Sequence, residues 1–260
     1  MQFEDILYEV DGPAAIVTMN RPSRYNAFRG KTIEELIKAF RAAWVDKSVR
    51  AIILTGAGDK AFCTGGDVKQ RAETGDYGPT ESGMFEIDAF HKLIRDVPKP
   101  VIAAVNGLAI GGGHVIHVLC DLSIASETAR FGQVGPRVGS FDGGFGTTYL
   151  ARVLGEKRAR EVWFLCRQYD ARTAERWGLV NAVVPPGDVL AEAKRWVGEI
   201  AAMSPTAIRF LKHSFNTDTE HQAGLSNFST AALEVFVTTP EAQEGPAAFT
   251  EKRPPDFSGF

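Results

Sequence analysis

From residue 101 to residue 120 the chain reads VIAAVNGLAIGGGHVIHVLC, with no Asp, Glu, Lys or Arg and with glycines at 107 and 111–113. Five apolar residues, a glycine turn and a second apolar stretch predict a buried strand over 101–105 feeding a buried helix over 112–120. Asn106, His114, His117 and the four glycines make a membrane span a poor reading of this run. Elsewhere the pattern predicts strands near 5–10, 14–19, 50–55 and 122–126, and helices near 31–45 and 84–95. Residues 146–252 read mostly as helix. Residues 68–83, rich in Gly, Thr, Glu and Asp, read either as a mobile loop beside a glycine pair that closes over a ligand or as an ordinary solvated surface loop.

Composition adds bounds. A chain of 260 residues with 44% apolar content supports one large domain, or one with a helical appendage. Its net charge of −3 argues against a nucleic-acid surface. Cys63, Cys120 and Cys166 are odd in number and lie in apolar runs, as reduced packed thiols in a cytoplasm would. The acidic start FEDILYEV has neither a basic region nor a cleavage site, so no targeting peptide is expected.

Candidate chemistry sits on two glycine turns. In AIILTGAGDKAFCTGGD (51–67) an Ile/Leu-rich strand ends in a turn, and Gly65–Gly66 precede Asp67; the second turn is 111–113. Glycines there let a ligand approach main-chain N–H groups at a strand end or at the positive end of a helix, which suits a developing oxyanion. Neither turn has the phosphate-loop or dinucleotide spacing. The chain has no G-x-S-x-G nucleophile elbow. His114 and His117 are spaced i, i+3 without a third ligand, which favours packing over a metal.

The stretches RPSRYNAFR (21–29), AFCTGGD (61–67), PKPVIAAVNGLAIGGGHV (98–115), CDLSIAS (120–126), FGQVGPRVGSFDGGFGTTYLARVLG (131–155) and AAFTEKRPPDF (247–257) together resemble the crotonase (enoyl-CoA hydratase/isomerase) superfamily along nearly the whole chain. The resemblance implies an α/β fold, with a ββα spiral core over 1–200 and a C-terminal helical trimerisation region over 201–260. It implies an acyl-CoA substrate, no tightly bound cofactor, and a homotrimer or a hexamer built as a dimer of trimers. It places the thioester oxygen on the N–H groups of Gly66 and Gly112. Arg24, Asn26, Ala27, Phe28, Thr64, Gly65 and Asp67 would border the CoA, with Phe249, Lys252 and Arg253 in a segment that reaches the CoA of a neighbouring subunit.

Two departures bear on the reaction. Where hydratases of the family carry glutamates, this chain has Val115 and Gly135, which removes the carboxylates that activate water and deliver a proton. The block GQVGPRVGSFDGG with REVWFLCRQYDA (160–171) instead resembles 1,4-dihydroxy-2-naphthoyl-CoA synthases and the ring-opening 2-ketocyclohexanecarboxyl-CoA hydrolases. In bicarbonate-dependent synthases a bound anion replaces the missing carboxylate; Gln133, Gly135 and Trp163 match that pocket, while Val134 replaces a threonine. Asp142 matches an active-site aspartate and Ser140 a polar neighbour. The C-terminal tyrosine of the synthases falls at Val237, so a phenolic donor would have to come from Tyr149, Tyr77 or another group. The expected reaction is hydrolytic ring opening of a cyclic β-ketoacyl-CoA through a CoA enolate. Ring closure, enoyl-CoA hydration and a non-catalytic CoA-binding role are the alternatives.

Overall fold

The computed structural model describes residues 2–75, 77–141 and 144–260. Strands β1 (Ile6–Asp11) and β2 (Ala14–Met19) form an antiparallel hairpin around Gly12, whose φ of +55° suits glycine. After helix α1 (Gly30–Val45) a unit of long strand, short strand and helix recurs. Its first copy is β3 (Ala51–Gly56), β4 (Ala61–Cys63), α2 (Val68–Thr74) and α3 (Ile87–Asp96). The second is β5 (Val101–Val105), β6 (Leu108–Ile110) and α4 (Gly112–Leu119), so the apolar twenty-mer is a strand, a turn and a helix. The third is β7 (Leu122–Ser126), β8 (Arg130–Gly132), α5 (Gly146–Leu154) and α6 (Glu156–Leu165). The chain continues through β9 (Gln168–Asp170), α7 (Ala171–Arg176), β10 (Ala182–Val184) and α8 (Val189–Ala201). It ends with α9 (Pro205–Thr217), α10 (Gln222–Phe236) and α11 (Pro240–Glu251).

The long strands, with the three-residue β10 at one edge, assemble as one sheet in the order β1-β2-β3-β5-β7-β10, parallel everywhere except β1–β2. The short ones form a second sheet, β4-β6-β8-β9, antiparallel only at β9. This is the expected α/β architecture of ββα units. Every residue of β3 and β5 is buried, as parallel strands covered on both faces must be. Alternation then sorts them. Ile52, Leu54, Val101 and Ala103 face the main core with Phe40, Phe62, Phe90, Phe131 and Phe145, while Ile53, Ile102 and Ile124 face Val189, Ala193 and Val197 of α8. Each of those buried phenylalanines contributes about 1.5–3 kcal/mol. Among the described residues no helix is long and apolar enough to cross a membrane.

Two departures from the sequence reading affect the site. The first half of the loop expected over 68–83 is α2, capped by Asp67, whose carboxylate accepts the Gln70 N–H at 3.1 Å. The second is the strands of the small sheet, each three residues long, which show no alternation of their own. The C-terminal helices fold back on the same chain. The buried Lys212 ammonium of α9 donates to the carbonyls of Ile94 and Lys99 at 2.9 and 3.0 Å and to Asp121 at 2.7 Å. Arg95 donates to Thr219 at 3.0 Å and lies over the rings of Phe145 and Tyr149. Phe210, Leu211 and Phe215 of α9 and Phe228 of α10 remain exposed.

Candidate active site

Because β4 and β6 are parallel neighbours, the two glycine turns leave the small sheet at the same end. Gly65 has φ of +89° and Gly111 φ of +57°, conformations that glycine adopts without strain. The turns touch: a Cβ on Gly65 would stand 3.0 Å from the Gly112 nitrogen, and one on Gly113 only 2.0 Å from the Cys63 carbonyl oxygen. Only glycine permits this approach. Phe28 bridges the first turn, its N–H donating to Gly65 O at 2.8 Å and its carbonyl accepting from Asp67 N–H at 2.8 Å. The N–H groups of Gly66 and Gly112 have no partner among the described residues. Gly112 opens α4, where intrahelical acceptors are missing and the helix dipole is positive.

Aromatic rings cover this pair. A Cβ on Gly112 would meet the Phe28 ring at 2.8 Å, and one on Gly66 would meet the Tyr77 ring at 2.4 Å and its hydroxyl oxygen at 2.7 Å. Tyr77 stacks on Phe85 with centroids 4.5 Å apart, and its carbonyl accepts the Gly30 N–H at 2.7 Å, which ties the covering loop to α1. Of the two tyrosines considered as phenolic donors, Tyr77 therefore stands at Gly66, whereas Tyr149 is engaged under Arg95.

The residues expected at the CoA divide by what their side chains do. Asn26 is buried at φ +54° and its amide donates to the carbonyls of Ala57 and Ala61 at 3.0 and 2.7 Å, so it shapes the segment from within. Asp67 pairs with Arg21 at 2.8 Å; burial raises its pKa, but the Gln70 N–H and Arg21 outweigh that and hold it below the usual carboxylate range. Ala27 is buried, Thr64 donates to Tyr25 O at 3.3 Å, and Arg24 is exposed on the outer side of the same segment. Cys63 lies beneath the turn, its thiol pushed up to about 12 by burial, which makes it inert as a nucleophile.

The segment 133–141 forms the facing wall. Gln133 is buried, and its Nε2 lies 3.4 Å from Gly111 O and 3.2 Å from His114 Nδ1. Trp163 is buried and its indole N–H donates to Gly146 O at 3.3 Å. Gly135 starts a tight turn in which its carbonyl accepts the Ser140 N–H at 2.8 Å, and a Cβ on it would stand 2.9 Å from the Ser140 carbonyl oxygen. The Gln133 amide and the Trp163 indole, expected at a bound anion, thus also reach groups of the protein itself. Asp142 lies outside the described residues. Val115 is buried in α4 and offers only methyl groups.

The C-terminal helices contact this wall within one chain. Phe236 packs edge-on against Phe141 at 5.5 Å, next to Val237, and a Cβ on Gly245 of α11 would fall 2.0 Å from Val138 O. Phe249 in the last turn of α11 and Lys252 just after it are exposed. Sequence reasoning missed the Gln133–His114 contact, because Gln133 matched an anion pocket and His114 had no visible partner.

The family described as enoyl-CoA hydratase/isomerase matches residues 10–259. A carnitinyl-CoA hydratase from Mycobacterium avium is 31% identical with TM-score 0.88, over 100% of both chains. An enoyl-CoA hydratase from Bacillus anthracis is 30% identical with TM-score 0.77, over 99% of this chain and 100% of that one. An enoyl-CoA hydratase/isomerase from Pseudoalteromonas atlantica T6c is 26% identical with TM-score 0.88, over 98% of this chain and 100% of that one. These similarities, joined to two touching glycine turns whose Gly66 and Gly112 N–H groups have no partner among the described residues, identify the chain as a member of the enoyl-CoA hydratase/isomerase (crotonase) family.

Proposed function

We propose that the protein binds an acyl-CoA thioester with its carbonyl oxygen on the N–H groups of Gly66 and Gly112 and opens the ring of a cyclic β-ketoacyl-CoA through the resulting enolate. The observation that carries this reading is the Tyr77 phenol beside Gly66, in a chain whose Val115 and Gly135 offer no carboxylate. Water adds to the ring ketone. The adduct collapses to a carboxylic acid as the carbon–carbon bond breaks, its electron pair passing into the thioester enolate. Tyr77 then protonates the α-carbon, giving a dicarboxylic acid mono-CoA ester. The Gly66 and Gly112 donors stabilise the enolate oxygen, each worth about 2.7–4 kcal/mol. Water activation belongs to Asp142 by sequence resemblance. The exposed apolar side chains of α9 and α10 support packing against further copies of the chain, as a trimer or hexamer.

Hydration of an enoyl-CoA is the second reading, favoured by the names of the similar solved structures, which are hydratases. Incubation with 2-ketocyclohexanecarboxyl-CoA, crotonyl-CoA and o-succinylbenzoyl-CoA, followed by mass analysis, separates the readings. Ring opening adds water to the first alone, and ring closure removes water from the third. Hydration of crotonyl-CoA is expected to be slower than in an ordinary hydratase by about 10³-fold, since both carboxylates are absent. Efficient hydration would overturn the ring-opening assignment.

A further inference from the structure

The carbonyl of Gly111 and the N–H of Gly112 belong to one trans peptide group, so whatever fixes the direction of that carbonyl aims the N–H the opposite way. Two donors converge on the carbonyl. Val115 N–H reaches it at 3.1 Å as the first bond of α4, and Gln133 Nε2 at 3.4 Å from across the site. The same Gln133 nitrogen lies 3.2 Å from His114 Nδ1. Since a carbonyl only accepts, the amide must present its NH2 group here, which makes His114 Nδ1 the acceptor and puts the imidazole proton on Nε2. Gln133 and His114 are each 1% exposed, so bulk solvent is kept from these bonds. Gly111, at φ +57° and ψ −127°, has little intrinsic preference to hold this peptide plane, and a Cβ on it would only touch the Val134 side chain, at 3.4 Å.

We propose that Gln133 and His114 are positioning residues of the oxyanion hole: His114 orients the Gln133 amide, and that amide fixes and polarises the Gly111–Gly112 peptide so that Gly112 N–H meets the thioester oxygen. A carbonyl that accepts a hydrogen bond makes the N–H of its own peptide a better donor, so the contact acts on strength as well as direction. The inference rests on Gly112 being an oxyanion donor. It assigns Gln133 to the main chain instead of to an anion.

The test uses the full-length protein and 4-(dimethylamino)cinnamoyl-CoA, a chromophore whose absorption moves to longer wavelength when its thioester carbonyl is polarised. The parent is expected to show the red shift. Gln133→Met, similar in size but without donors, and His114→Leu are expected to lose more than half of it. Their kcat on the turned-over substrate is expected to fall by about 10²-fold with KM changed by less than about threefold, the signature of a misaimed donor rather than lost binding. His114→Asn, whose Oδ1 reproduces the acceptor at Nδ1, is expected to restore the shift. If His114→Leu does not fold, Gln133→Met carries the comparison. A full red shift in folded Gln133→Met overturns the proposal. A parent that binds the probe with no shift overturns the oxyanion assignment itself.

Discussion

Tyr77 closes over Gly66 so tightly that a single methyl on the glycine would stand 2.4 Å from the ring, inside any real carbon–carbon contact. Gly66→Ala is therefore expected to fold but to displace Tyr77 and its stack on Phe85. Tyr77→Phe keeps the ring and removes only the hydroxyl, and is expected to lower kcat by about 10²-fold or more with little change in KM, as loss of a general acid does. Steady-state kinetics of the two variants check this. Unchanged turnover by Tyr77→Phe would remove the phenol from the mechanism.

Gly112→Pro deletes one oxyanion donor at the first residue of a helix, where the missing N–H breaks no intrahelical bond, although its Cβ meets the Phe28 ring at 2.8 Å and that ring must shift. Turnover is expected to fall by roughly 10²–10³-fold while the circular dichroism spectrum is kept. Near-parental turnover in the folded variant would show that Gly112 N–H does not touch the reacting oxygen.

Gly135→Asp looks, on sequence grounds, like a way to install a carboxylate in place of bicarbonate. The geometry argues otherwise, since any Cβ there meets the Ser140 carbonyl oxygen at 2.9 Å and the turn to Ser140 must open. The variant is expected to lose activity and thermal stability. Turnover of the parent in carbonate-free buffer is expected to match that in bicarbonate. Dependence on bicarbonate, relieved by the aspartate, would restore the anion site.

Burial lowers the pKa of His91 and of His114 to about 4 and takes that of His117 well below its usual value, so all three are neutral in the folded protein. The unfolded chain binds protons at these residues near pH 6.5 and the folded chain does not, so stability is full above that pH and falls as the pH drops toward 4. The loss is on the order of 3 kcal/mol each for His91 and His114. Urea denaturation from pH 8 to pH 4 reads it. A flat profile below pH 6.5 would mean that these imidazoles are protonated in the fold.

Lys212→Met is expected to destabilise the protein by about 3 kcal/mol or more, because it leaves Asp121 without its ammonium and the carbonyls of Ile94 and Lys99 unsatisfied under α9. The midpoint of urea unfolding measures it. A loss below about 1 kcal/mol would show that water replaces the ammonium.

Much of the fold was written in the order of residues. The long strands of the large sheet and the helices α1, α3 and α4 fall within a few residues of the ranges that hydrophobic pattern predicts, because the apolar run Ala51–Leu54 that opens β3 and the five apolar residues of β5 are a local signal. The glycine turns were equally legible, since only glycine sits at Gly65 and Gly111 without strain. The strands β4, β6, β8 and β9 were not, for three residues carry no period and take extended form only because neighbours supply hydrogen bonds. Which side chain does what at the site was also decided in three dimensions. Asn26 and Asp67, expected at the ligand, turn inward to carbonyls and to Arg21; Gln133, expected at an anion, reaches a carbonyl 22 residues away in sequence. Sequence determines which donors and acceptors exist. Only the packing of separate turns against one another decides which of them are consumed inside the protein and which, as at Gly66 and Gly112, keep no partner among the described residues.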